Sequence, residues 1–164
     1  MNKKYDYDSS TGVLRHRTTS SPRIKAGQAA GSVNSCGYVL VWFEGKKCQA
    51  HRLIWETLKG PIPDGCYIDH INGDKTDNRL ENLRLASPSQ NRFNSKQRSD
   101  NTSGYTGVHF NQASGKWSAR LFVGGSPKHL GSFKCPTTAA IAYDTAIDRH
   151  NMSEFARYNL RTNK

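Results

Sequence analysis

Ile68-Asp69-His70-Ile71-Asn72-Gly73-Asp74, followed by Asp77-Asn78-Arg79, Asn82-Leu83-Arg84 and Asn91-Arg92-Phe93-Asn94, is the stretch on which the reading of this chain turns. It compresses a carboxylate, an adjacent imidazole and a series of amides into residues 69–94. The local pattern spells strand, loop, strand and helix. Cys66-Tyr67-Ile68 reads as a strand delivering Asp69-His70, a polar loop follows, and Leu83-Arg84-Leu85 reads as the return strand. Ser87 then offers a helix cap, Pro88 suits the first helical position, and Gln90 stands three after the cap, as in a capping box. Asn91 and Asn94, three apart, share one face of that helix. Such a layout brings distant polar groups to one point. Asp69 offers a hard anionic oxygen and Asn91 an amide oxygen, a donor set that favours Mg²⁺ or Mn²⁺. His70 is the type of side chain that takes a proton from water and directs the hydroxide at phosphorus. The cation would bind a phosphate oxygen and stabilise charge on the leaving 3′ oxygen.

The same residues also admit plainer roles. Asp, Asn and Gly in a loop usually make turns through their own backbone. A calcium loop needs oxygen donors at alternate positions and a glycine at the sixth, which residues 72–78 cannot register. Asn78 stands eight after His70 and is expected, with Asp77, to stabilise the loop. His51 is expected in helix packing or loop support. Arg79, Arg84 and Arg92 suit acid pairing as well as phosphate contact.

Upstream, Val13–Arg17 and Tyr38–Phe43 read as strands, and a turn at Glu44-Gly45-Lys46 suggests a hairpin returning through Cys48-Gln49-Ala50. His51–Lys59 has helical spacing, ended by Gly60-Pro61. Downstream, residues 95–104 hold no Val, Leu, Ile or aromatic side chain and read as a linker that places a domain boundary. Tyr105–Asn111, Lys116–Val123 and Lys128–Phe133, separated by glycine-containing turns, predict an antiparallel meander. After Pro136, a helix capped by Thr137 or Thr138 is expected to run to about His150, with its alanines letting it lie close on the sheet.

The chain is 164 residues long with a net charge of +11, so one ordinary domain or two small ones fit, and a polyanion is the first partner to consider. Basic side chains outnumber acidic ones in the first hundred residues and again beyond them, so charge does not say which part binds. Hydrophobic residues make up 35%, which excludes a large α/β enzyme. No stretch is apolar enough for a membrane helix and the N-terminus lacks the apolar run of a secretory signal, so the expectation is a protein of the cytoplasm that is not secreted. Cys36, Cys48, Cys66 and Cys135 form no C-x-x-C pair and are expected to be reduced.

The run His51-Arg52-Leu53-Ile54-Trp55 together with the stretch quoted first resembles the HNH endonucleases, especially those of phages and self-splicing introns. The spacing agrees, with Asn82 twelve residues after His70 and Asn91 nine after Asn82. The resemblance covers about residues 5–95 and implies a two-stranded ribbon and helix gripping one metal ion. It implies Asp69 and Asn91 as metal ligands, His70 as general base, and Asn82 as the middle residue that holds the loop and orients His70. Asn94 is an optional addition.

Gly107-Val108, Lys116-Trp117-Ser118-Ala119-Arg120, Leu130-Gly131-Ser132-Phe133 and Ala139-Ala140 with Ala142-Tyr143-Asp144 resemble the plant ethylene-response-factor (APETALA-type) DNA-binding domain over about residues 103–160. That resemblance implies a sheet that enters the major groove. Trp117 and Arg120 match its contact positions best, and strand placement adds His109, Asn111, Lys116, Phe122 and Lys128. Thr106 and His109 stand where plant members commonly carry arginine, so their sequence preference does not transfer.

The expected class is therefore α+β. An N-terminal ββα-metal HNH nuclease domain, preceded by short strands and a helix, spans 1–95; a linker spans 96–104; a three-stranded antiparallel sheet packed on one helix spans 105–164. The expected activity is that of a homing-type, site-preferring DNA endonuclease using one Mg²⁺ or Mn²⁺ per active site. Its expected partner is double-stranded DNA, with no membrane and no small-molecule cofactor, as a monomer in an infected bacterial cell. The rivals are a non-catalytic DNA-binding regulator on an HNH fold and a nuclease acting on RNA or without specificity.

Overall fold

The computed structural model describes residues 4–94 and 100–160. The chain forms two compact units that divide between Pro88 and Ser89. Of the expected linker, residues 96–99 lie outside the described residues. Asn101 and Ser103, within the second unit, form a built turn: the Asn101 carboxamide oxygen accepts from Ser103 N at 2.9 Å, and the Ser103 hydroxyl donates to Val108 O at 2.7 Å.

In the first unit, β1 (Tyr5–Asp8) and β2 (Val13–His16) make an antiparallel hairpin. Local pattern predicts β2 but not β1. A three-stranded sheet follows, in the order β3 (Ser32–Val33), β4 (Val39–Phe43), β5 (Lys46–Gln49). Helix α1 (Ala50–Lys59) leaves β5 directly, so Ala50 opens the helix instead of closing the strand. Leu53 and Ile54 fall on the face α1 buries, against Tyr5, Leu14, Val41, Ile68 and Leu83. Gly60, at φ +95°, ends the helix in a backbone conformation that other residues rarely adopt. The antiparallel ribbon β6 (Tyr67–His70) and β7 (Leu83–Ala86) then pairs His70 with Leu83 and Asp69 with Arg84. The expected strand is therefore shifted: Asp69 and His70 are its last two residues and not the start of the loop. Burying Ile68 and Leu83 anchors both strands to the core, which fixes where the strand ends.

Helix α2 (Pro88–Phe93) has six residues, and Asn94 lies just beyond it. In the second unit, β8 (Val108–Asn111), β9 (Lys116–Val123) and β10 (Ser126–Phe133) form the meander with β9 in the centre. Helix α3 (Pro136–Arg149) covers one face through Ala139, Ala140, Tyr143, Ala146 and Ile147, all buried. Small side chains on a helix allow the close approach that Ala139 and Ala140, both 0% exposed against Val108 and Ala119, display. The cap differs from expectation: Cys135 is the N-cap, its sulfur accepting from Thr138 N at 3.4 Å. The four cysteines are free thiols. Among the described residues no helix is long and apolar enough to cross a membrane.

Candidate functional site

Neighbouring residues of a strand point to opposite faces, yet Asp69 and His70 are both buried, at 5% and 4% exposure. Each has a dedicated partner. The Asp69 carboxylate accepts from Arg84 Nε at 2.9 Å and Nη2 at 2.7 Å, the cross-strand pair that the ribbon register dictates. His70 Nε2 lies 3.1 Å from the carboxamide oxygen of Asn78, which is itself 3% exposed. An amide oxygen only accepts, so Nε2 is the donor in this contact.

Asn82 holds the loop by a different set of bonds. Its carboxamide oxygen accepts from Asn72 N at 3.0 Å, and its amide donates to Asp77 O at 2.8 Å and to the Asn72 carboxamide oxygen at 3.1 Å. Its main chain accepts from Ile71 N at 2.9 Å. The expectation that Asn82 both holds the loop and orients His70 thus divides between two residues: the side chain on the imidazole is that of Asn78. Residue spacing could not find this, because the polar loop between His70 and Leu83 folds back and brings the nearer asparagine to the ring.

Two more carboxylates stiffen the loop. Asp77 accepts from Arg79 Nε at 2.9 Å and Nη2 at 2.8 Å, and Arg79 holds its carboxyl down at about 2. Asp74 is lowered by the Thr76 hydroxyl, 2.7 Å away. The arginines 79 and 84 therefore pair with acids.

His51 on α1 meets His70 edge-on, with ring centroids 5.0 Å apart, and Tyr38 lies 5.2 Å from His51 and 6.1 Å from His70. His51 Nδ1 is buried without a hydrogen-bond partner. Burial first, then His70 and Arg52, push its pKa down to about 3, so it is neutral. The expectation for His51 is helix packing or loop support, and its burial on α1 against His70 and Tyr38 is packing.

Asn91 stands half-buried in α2, in the second unit. Asn94 is buried there and accepts from Arg157 Nε at 3.0 Å.

The sheet of the second unit has one face covered by α3 and one open. Alternation along β9 puts Ala119 and Leu121, both 0% exposed, under the helix, and Lys116, Ser118, Arg120 and Phe122 on the other face. His109 and Asn111 pair in register with Ser118 and Lys116, so they share the open face. His129 pairs with Arg120, and its Nδ1 lies 3.2 Å from the Ser118 hydroxyl. Burial, then Arg120 and His129, lower the pKa of His109. Arg92 stacks its guanidinium 5.0 Å from the Phe122 ring centroid. Trp117 and Lys128 are elsewhere. Trp117 packs on the helix side with Phe110, centroids 5.1 Å apart, and Lys128 pairs with Leu121 and reaches His150 at the end of α3 at 3.3 Å.

Residues 48–93, from β5 through α2, match the family described as HNH endonuclease. Over 113 residues the chain is 35% identical to Protein 3.8 of Escherichia phage T7, spanning 69% of this chain and 92% of that protein. The chain carries an HNH endonuclease family domain. It is also 40% identical over 129 residues to the Uncharacterized HNH endonuclease L560 of Acanthamoeba polyphaga mimivirus, covering 72% of this chain and 66% of that one. A solved structure described as DNA binding and cleavage by the HNH homing endonuclease I-HmuI shares 25% identity over 55% of this HNH chain and 50% of its own, with a TM-score of 0.41. The HNH match contains His51, Asp69, His70, Asn78, Asn82 and Asn91 and ends before the second unit's sheet begins.

Proposed function

We propose that this HNH protein is a site-preferring DNA endonuclease of the homing type, hydrolysing phosphodiester bonds with His70 as general base. The observation that carries the reading is the buried Asp69-His70 pair at the end of β6, each side chain locked by a partner of its own. A general base must be held in one orientation, and the Asn78 bond on Nε2 fixes the plane of the imidazole that would take the proton of the attacking water. Asn82 keeps the loop closed around it.

The donor chemistry fits a hard cation. Among the described residues no three His, Cys, Asp or Glu side chains cluster as a metal cage, and Mg²⁺ is commonly held by one or two carboxylates with water and substrate phosphate completing the shell. Asp69 would supply the carboxylate ligand of one Mg²⁺ or Mn²⁺; Asn91, the other expected ligand, belongs to the second unit. When bound, that ion polarises the scissile phosphate and stabilises charge on the leaving oxygen.

The second unit supplies the site preference through the open face of its sheet, in the manner of the ethylene-response-factor domains it resembles. Arg120, Lys116, Asn111, His109 and Phe122 stand there together, combining phosphate-directed cations with groups able to read base edges. Trp117 and Lys128, expected among the contacts, lie on the helix side and not on this face. Two linked modules raise the local concentration of scissile phosphate, so modest binders suffice. The protein is expected to work as a monomer on double-stranded DNA inside an infected bacterial cell.

Incubating a library of supercoiled plasmids with the protein in Mg²⁺ and in EDTA tests this reading. Nicking or linearisation in Mg²⁺ alone, at mapped and recurring positions, is the expected result. DNA binding without cleavage in either condition would instead identify a non-catalytic regulator, and preferential loss of added RNA a ribonuclease.

A further inference from the structure

Asn78 is gripped on two sides. Its side chain meets His70, while its main chain is held by the β1–β2 hairpin, more than sixty residues away in sequence. The Tyr7 hydroxyl donates to Asn78 O at 3.2 Å and accepts from Leu80 N at 2.9 Å, bracketing residues 78–80 with a single oxygen. Gly12, in the hairpin turn at φ +73°, lies flat on the same backbone: a side-chain carbon there would sit 2.6 Å from Asn78 C and closer still to Arg79 N. The hairpin is itself braced. Arg17 pairs with Asp6 at 2.6 Å, Arg15 with Asp8 at 3.4 Å, and the Tyr5 hydroxyl donates to Trp42 O at 2.7 Å. By contrast, residues 71–77 are mostly exposed and lack an apolar anchor of their own. Burial raises the pKa of Tyr7, so its hydroxyl keeps the proton it donates.

Resting on the reading of His70 as the base, we propose that Tyr7 is a positioning residue that fixes the ring tautomer of His70 by holding the main chain of Asn78. The hairpin is then part of the active-site framework, reaching the imidazole through Tyr7, Asn78 and Nε2 in turn. Gly12 is required because any side chain would push the loop off the hydroxyl.

Tyr7→Phe removes only the hydroxyl and keeps the ring. It is expected to lower kcat about tenfold, the cost of one lost positioning bond, with KM for plasmid DNA unchanged. Tyr5→Phe removes a hairpin hydroxyl bond that does not touch the loop and leaves kcat as it was. In an Asn78→Ala background, Tyr7→Phe should change kcat less than about twofold, because the residues act as one unit. Equal losses in both backgrounds, or a fall in melting temperature with kcat intact, would overturn the proposal. A readout without turnover separates it from the nuclease reading. Imidazole ¹⁵N spectra at pH 9, with His70→Ala to assign the signal, should show one tautomer protonated at Nε2 in the wild-type protein and a mixture in Tyr7→Phe. Identical tautomer populations would refute the role of Tyr7, whereas a wild-type protein that fails to cut would refute the nuclease.

Discussion

His70 Nε2 and the carboxamide oxygen of Asn78 lie 3.1 Å apart in a buried contact, which makes Nε2 the donor of the pair and holds the ring in one orientation. Removing the acceptor frees the ring to rotate and to exchange tautomers. Asn78→Ala is therefore expected to reduce the single-turnover cleavage rate by about ten- to a hundredfold, within the range that general base catalysis contributes. Asn78→Asp keeps an acceptor in place and should retain most of the rate. Quenched-flow cleavage of a labelled duplex compares the two.

Asp69 and Arg84 form a pair whose side chains are 6% and 13% exposed. Breaking a buried pair from one side leaves a desolvated charge. Arg84→Ala is expected to cost about 3 kcal/mol of folding stability, read from the urea midpoint. Asp69→Asn should cost cleavage as well, because it also removes the anionic oxygen proposed for the cation.

The neutral, buried His51 makes stability depend on pH. Its folded pKa of about 3 lies below the ordinary value of 6.5, so the unfolded chain binds a proton that the folded one does not. Stability is unaffected above pH 6.5 and falls as the pH drops toward 3, by about 1.4 kcal/mol per pH unit for one proton. Asp77 and Asp8, held at about 2, contribute their losses at lower pH. Urea titrations between pH 7 and pH 4.5 should show this slope, and His51→Phe should flatten it.

Much of this architecture is legible in the sequence because it rests on local pattern. The β-branched and aromatic run of β4, the Ala139–Ala146 spacing of α3 and the glycine turns of the meander declare themselves within a few residues. The pairing of Asp69 with Arg84 follows once the ribbon register is known. What escaped depends on distant segments. Tyr5-Asp6-Tyr7-Asp8 alternates as a strand should, but nothing local says that Tyr7 meets residues 78 and 80. Asn78 and Asn82 are alike in type, and only the path of the loop assigns their partners. The side on which Trp117 lies was readable: it shares parity in β9 with Ala119, Leu121 and Val123, the apolar and therefore helix-facing set.

That parity separates two cations of the second unit. Arg120→Ala, on the open face, should weaken DNA binding about tenfold and reduce its salt dependence. Lys128→Ala, beside His150, should change affinity less than about twofold. Fluorescence anisotropy with a cleaved sequence, at two or more salt concentrations, resolves the difference.

If the imidazole of His70 takes the proton from the attacking water, its loss must show in the first-order cleavage rate of His70→Ala at saturating DNA and Mg²⁺, with DNA affinity measured alongside. A rate at least about a hundredfold below wild type, with affinity preserved, is the predicted result. A variant that cuts within a fewfold of the wild-type rate would contradict it.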